Sequence, residues 1–290
     1  MEKTFSTPEP VRLVVENEVG FVAVSAEETT TSTVLLSADT PGAEELIERA
    51  VVECRPTGRR HLLVVKVPRL HPMRFIRRNG VTIRVTVPEG SDVSIVTASA
   101  DVEVSGPVGN ADLGTSSGDV STDDVAREVS AKSASGNITV GNVGGELRVH
   151  TASGDLRCSA VAGRTTFSTA SGDVEIGSAG DRVDVKTTSG NARLGELARG
   201  ARITGVSGDV RVLAISEGTL RVRSVSGNVA VGVAPGVDLE VDVETMSGSV
   251  QSDIPLDKAP GDRRGGARVE ISIRNVSGDV AIEHALEQVA

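Results

Sequence analysis

A serine–glycine–acid/amide triplet returns every 18 residues through the middle of this chain, and that regularity constrains the fold more than any other feature. Gly118, Gly136, Gly154, Gly172, Gly190 and Gly208 each follow a serine and precede an Asp or Asn. A worn copy, Ser99-Ala100-Asp101, stands one period upstream. Copies at Gly227, Gly248 and Gly278 follow after 19, 21 and 30 residues. A fixed period near 20 marks a repeat architecture, in which each unit buries its apolar face only against its neighbours.

Counting from each glycine, the apolar residues keep their places. Two residues on stand Val120, Ile138, Leu156, Val174, Ala192 and Val210. Four on stand Thr122, Val140, Cys158, Ile176, Leu194 and Val212, and seven on stand Val125, Val143, Val161, Ala179, Leu197 and Ile215. A second alternating run follows, as in Leu147/Val149 and Val183/Val185. Polar and charged residues fill the places between. This alternation predicts two short half-buried strands per repeat with an apolar corner residue between them. At the other corner, glycine accepts a positive φ, and the short Asp or Asn side chain beside it bonds local backbone. Gly118, Gly136, Gly154, Gly172, Gly190, Gly208 and Gly227 are therefore read as structural turns.

The inward positions 2, 4, 7, 11 and 13 do not match a hexapeptide helix, which needs an apolar residue every six. A calcium-bound nonapeptide roll needs two Gly-Gly-x-Gly-x-Asp copies per coil, and an antiparallel stack demands no strict period. The expected fold is all-β: a parallel β-solenoid of 18-residue coils, right-handed by the general handedness of parallel crossovers. With four Phe and neither Trp nor Tyr, a conventional aromatic core is excluded. A narrow interior of Val, Leu, Ile and Ala is not.

Residues 1–92 fall outside the repeat and are expected to form a β-rich N-terminal cap. Val11–Val24 reads as a worn coil, Val34–Ser37 as a further strand, and Leu62–Val67 and Val81–Val87 as strands. Thr40-Pro41-Gly42-Ala43-Glu44 resembles a helix start. An apolar stripe through Leu46, Ile47, Ala50, Val51 and Cys54 predicts one helix over about 41–54. Residues 93–290 are then the solenoid. Asp253–Ala267 is expected to be a loop, and Arg268–Ile273 and Val280–Glu283 are expected to close the stack.

The Ser-Gly-Asp/Asn-Val copies at Ser117–Val120, Ser153–Leu156, Ser171–Val174, Ser207–Val210, Ser226–Val229 and Ser277–Val280, together with Val81–Gly90, resemble the bacterial putative-adhesin family of β-strand-repeat domains. The likeness spans roughly residues 80–282. That family is known by its fold and has no assigned activity. The resemblance implies a β-helix and, by name, adhesion, and it supplies no catalytic residue.

Three constellations are candidates for chemistry. The first is the Asp/Asn row, which is either a line of weak cation sites or a ladder of turn-forming side chains. The ladder is favoured, because each turn offers one carboxylate, and stacked acids repel by roughly 1 kcal/mol per pair in water. No metal or other cofactor is expected. The second is the stretch Arg55–Pro88, with nine basic residues and no acid in a chain carrying 30 basic and 40 acidic residues. Within it, Arg74, Arg77 and Arg78 are candidates for binding an acidic protein partner. The alternative is internal charge balance. The net charge of −10 and the missing aromatic platforms argue against nucleic acid. The third is the set of scattered histidines, His61, His71, His150 and His284, which form no catalytic pattern.

The first residues carry no basic-then-apolar leader, and no apolar run reaches membrane-spanning length, so a cytoplasmic location is expected. Cys54 and Cys158 read as buried small hydrophobes. The expected function is a non-enzymatic interaction or scaffold module. The rivals are a polysaccharide-acting β-helix enzyme and a self-assembling structural protein joined through its coil ends.

Overall fold

The computed structural model describes residues 1–58, 60–68, 80–254 and 267–285. The chain divides into two compact units, Met1–Gly145 and Glu146–Ala290. Both are all-β, with one short helix near the N-terminus.

The first unit runs β1 (Glu2–Ser6), β2 (Arg12–Asn17), β3 (Gly20–Glu27), β4 (Thr31–Ala38), a 3₁₀ turn Pro41–Ala43, α1 (Glu44–Glu48), β5 (Val51–Thr57), β6 (Arg60–Lys66), β7 (Val81–Pro88), β8 (Asp92–Thr97), β9 (Asp101–Ser105), β10 (Ala111–Gly114), β11 (Val120–Thr122), β12 (Val129–Ser133) and β13 (Ile138–Val143). The second runs β14 (Leu147–Thr151), β15 (Leu156–Val161), β16 (Thr165–Ser168), β17 (Val174–Ala179), β18 (Val183–Lys186), β19 (Ala192–Leu197), β20 (Gly200–Thr204), β21 (Val210–Ile215), β22 (Gly218–Arg223), β23 (Val229–Val233), β24 (Asp238–Ser247), β25 (Val250–Ser252), β26 (Arg268–Ser277) and β27 (Val280–His284).

Strands alternate between two sheets, and each repeat pairs in parallel with the residue 18 positions on. In the first unit Val120 faces Ile138 and Ala111 faces Val129. In the second, Val174 faces Ala192 and Val183 faces Ala201. The apolar positions read from the repeat are all buried. Val174, Ile176, Ala179, Val183 and Val185 are each at most 2% exposed, and the one core aromatic of the repeats, Phe167, is at 0%. Stacking like on like lets each layer fill the space above the last with β-branched and small side chains.

The ends depart from chain order. In the first unit β2 pairs with both β6 and β8, and β3 with both β7 and β9. The worn coil of β2 and β3 thus lies between two later strand pairs. Antiparallel strands close that end: β4 on β7, β1 on β4 and β5 on β6. In the second unit β26 pairs with both β22 and β24, and β27 with both β23 and β25. Arg268–Ile273 and Val280–Glu283 therefore do not finish the stack as expected. They enter it one layer in, and β24 and β25 form its last layer.

The helix is also shorter than expected. It ends at Glu48, and Val51–Thr57 is a strand. Val51 and Val52 are β-branched and fit a pleated strand better than a helix turn. Pairing with β6, where Val52 faces Val65 and Cys54 faces Leu63, also satisfies their backbone. Of the expected stripe, α1 keeps Leu46 buried and Ile47 half-buried.

Candidate functional site

The most ordered polar feature is the edge where the Ser-Gly-Asp/Asn turns stack. In the first unit Asp101 Oδ1 accepts the N–H of Asp119 at 2.9 Å, and Asp119 Oδ1 accepts that of Asn137 at 2.8 Å. In the second unit Asp155 accepts from Asp173 at 2.8 Å, Asp173 from Asn191 at 2.7 Å, Asn191 from Asp209 at 2.9 Å and Asp209 from Asn228 at 2.8 Å. The ladder then leaves chain order: Asn228 accepts from Asp279 at 3.0 Å, and Asp279 from Ser249. Each side-chain oxygen serves the backbone of the next layer, so the row is a structural ladder. The Asn members accept the same bond without adding charge, which relieves repulsion along the row.

Asp279 receives both the backbone N–H and the Oγ–H of Ser249, each at 2.8 Å. These bonds hold its carboxyl below the usual aspartate range, the backbone bond contributing most.

The glycines answer to two constraints. A Cβ on Gly118 would overlap the carbonyl oxygen of Ala100. On Gly136 it would overlap that of Gly118, on Gly190 that of Gly172, and on Gly208 that of Gly190. Close approach of backbones between layers therefore excludes a side chain at each of these four positions. A positive φ, expected at every copy, is present only from Gly172 onward. Gly172 sits at 158°, on the border of extended backbone, while Gly190, Gly208 and Gly227 stand at 148°, 137° and 130°. Gly118, Gly136 and Gly154 lack it.

The reason is a change of hydrogen-bond partner. The Gly118, Gly136 and Gly154 N–H groups donate to hydroxyls three residues back, on Thr115, Ser133 and Thr151, at 3.0, 2.7 and 2.8 Å. The later glycines donate instead to the serine carbonyl of the next layer, as Gly190 does to Ser207 at 3.1 Å. The role of these hydroxyls is missing from the sequence reading. Its signal was there, since Thr115, Ser133, Thr151, Thr169 and Thr187 share the 18-residue period.

Three basic residues of the stretch, Arg55, Arg60 and Lys66, are ion-paired. Asp92 binds Arg60 at 2.8 Å and also pairs with Arg127. Asn110 donates its side-chain and backbone N–H groups to the same carboxylate at 2.9 and 3.0 Å. Lys66 pairs with Glu16 at 2.6 Å, and Arg55 with Glu53. Arg74, Arg77 and Arg78, with His71, lie outside the described residues.

No group of three His, Cys, Asp or Glu side chains converges on a metal-sized site among the described residues. His61, His150 and His284 lie on β6, β14 and β27. Burial pushes the Cys158 thiol up to about 12, opposed in part by its bond to the Ala160 carbonyl. Burial raises Cys54 too. Among the described residues no helix is long and apolar enough to cross a membrane.

Two sheets of stacked short strands, with a side-chain ladder along one turn edge, define an all-β repeat protein. The chain belongs to the Toastrack DUF4097 family, whose model matches residues 59–283. Among solved structures it is similar to a putative adhesin from Bacteroides fragilis, at 12% identity over 97% of this chain and 96% of that one, with a TM-score of 0.40. Putative adhesins from Parabacteroides merdae and Parabacteroides distasonis are similar at 13% and 12% identity, both with a TM-score of 0.40. They match 97% and 98% of this chain and 95% and 96% of their own. No curated protein matches the chain.

Proposed function

We propose that this chain is a non-enzymatic, adhesin-like interaction or scaffold module built as a right-handed parallel β-solenoid of 18-residue coils, with residues 1–92 as its cap and 93–290 as its repeats. The observation that carries the scaffold reading is the turn ladder. One side-chain oxygen of each rung is engaged in holding layers together, from Asp101 to Asn137 and from Asp155 to Ser249. Parallel pairing at 18-residue offsets supports the solenoid. The antiparallel closure by β1, β4 and β5 supports the cap.

Affinity capture with the intact chain as bait in its native host tests the module reading. Recovery of a protein partner at constant stoichiometry is expected. Reproducible cleavage in a polysaccharide panel, lost on removing one pair of surface carboxylates, would replace this reading with the enzyme.

A further inference from the structure

The two ends of the stacks are finished differently. At the β5–β6 end, the apolar layer is covered: Leu36, Leu46 and Val52 are at most 4% exposed, and Pro56 removes a backbone donor from the outer strand. In the second unit, β24 is the outermost strand of its sheet. Its inward residues Leu239, Val241 and Val243 are only half-buried, whereas the residues they face on β26, Val269, Ile271 and Ile273, are at 0% exposure. Val250 of β25, the outermost strand of the other sheet, is 48% exposed. Among the described residues nothing pairs with the outer edge of this ten-residue strand. A row of unpaired backbone groups over an unfinished apolar layer is the template for strand addition.

The side chains indicate what fits. On β24 the apolar residues alternate with Asp238, Glu240, Asp242 and Glu244, which point the other way. Arg268 pairs with Glu240 and Arg274 with Glu244, but Asp238 and Asp242 form no ion pair among the described residues. A second copy is a poor occupant. A twofold that keeps both apolar faces on one side makes the strands antiparallel. Every register centred within Asp238–Glu244, where the apolar residues lie, then sets acid opposite acid, which is destabilising.

We propose that the β24 edge binds an extended polypeptide in which Lys or Arg alternates with apolar residues. Its backbone continues the sheet, its apolar side chains cover Leu239, Val241 and Val243, and its cations meet Asp238 and Asp242. This names a partner class for the module proposed above but rests on the edge alone, so its failure would leave the scaffold reading standing.

The test uses the intact chain and a fluorescein-labelled peptide, Lys-Val-Arg-Val-Lys-Thr-Arg-Val, read by fluorescence anisotropy. Saturable binding is expected, with slowed hydrogen exchange confined to Asp238–Ser247 and its neighbours. A peptide N-methylated at alternate residues should bind at least roughly tenfold more weakly, and so should the unmethylated peptide to Asp238→Asn/Asp242→Asn. That variant keeps its thermal midpoint, since exposed charges contribute little to stability. Equal binding of the N-methylated peptide would reduce the interaction to charge and overturn the proposal. So would protection elsewhere on the chain. No binding at all would also overturn it, meaning that the edge is already covered, by residues 255–266 or by a second copy. Sedimentation identifies the second copy.

Discussion

Gly190 stacks on Gly172 so closely that a Cβ on the later residue would overlap the carbonyl oxygen of the earlier one. The same relation ties Gly208 to Gly190 and Gly136 to Gly118. The glycine column is thus held by the distance between layers, and the backbone angle is a second constraint on only some of its members.

Gly136→Ala separates the two causes. Its φ is not left-handed, so a purely conformational role would make alanine harmless. Overlap with the Gly118 carbonyl predicts a loss of about 1–3 kcal/mol, as for other forced overpacking. Gly205→Ala, whose Cβ meets nothing nearer than 3.8 Å, should stay within about 0.5 kcal/mol of the parent. Urea denaturation of the three proteins measures both.

Removing a rung should loosen the layer above it. Asp173→Ala deprives the Asn191 N–H of its acceptor, at a cost of about 0.5–1.5 kcal/mol. Hydrogen exchange at Asn191 should accelerate while Val183 and Val185 in the opposite sheet stay protected. Unchanged exchange at Asn191 would mean that the rung carries no weight.

Asp279 gives the ladder a pH dependence. Its folded pKa lies below the unfolded value, so the folded state binds this proton less readily. The stabilisation is present above the unfolded pKa, about 3.9, and is lost as pH falls through the folded pKa. A carboxyl NMR titration should place Asp279 below ordinary aspartates. Ser249→Ala, which deletes the Oγ–H bond but keeps the backbone bond, should move it part of the way back.

Cys158 should behave as an inert thiol. Because burial pushes it up to about 12, it stays protonated at pH 8, and the thiolate is the reactive form. Iodoacetamide should label it only on unfolding, and Cys54, which is less buried, should react first. The folded pKa here is raised, so this group's contribution is full below the unfolded pKa and falls as pH rises towards the folded one. Rapid labelling of native Cys158 would contradict the burial.

The inserted layer predicts where stability lies. Ile271→Ala on β26, covered on both sides by β22 and β24, should cost about 2–5 kcal/mol. Val250→Ala on the exposed β25 should cost less than about 0.5 kcal/mol. Similar costs would place β26 at the end of the stack, where the sequence reading had it.

The repeated interior is legible in the chain's period. In parallel, in-register stacking, residue i lies beside residue i + 18, so a period in the chain becomes a column in space. Val174, Ala192 and Val210, or Gly172, Gly190 and Gly208, can be read as neighbours without coordinates. The Thr115, Ser133 and Thr151 hydroxyls belong to the same legible pattern, but periodicity alone does not say what they bond. The order of layers at the ends, the early stop of α1 at Glu48 and the reason each glycine is needed come from long-range packing. Layer order at Ser226, Ser277 and Ser247 depends on which edge a returning strand finds open, and no local periodicity encodes that competition. Whether a glycine needs a positive φ in addition to clearing the carbonyl beside it goes with the hydrogen-bond partner that its turn adopts in the stack.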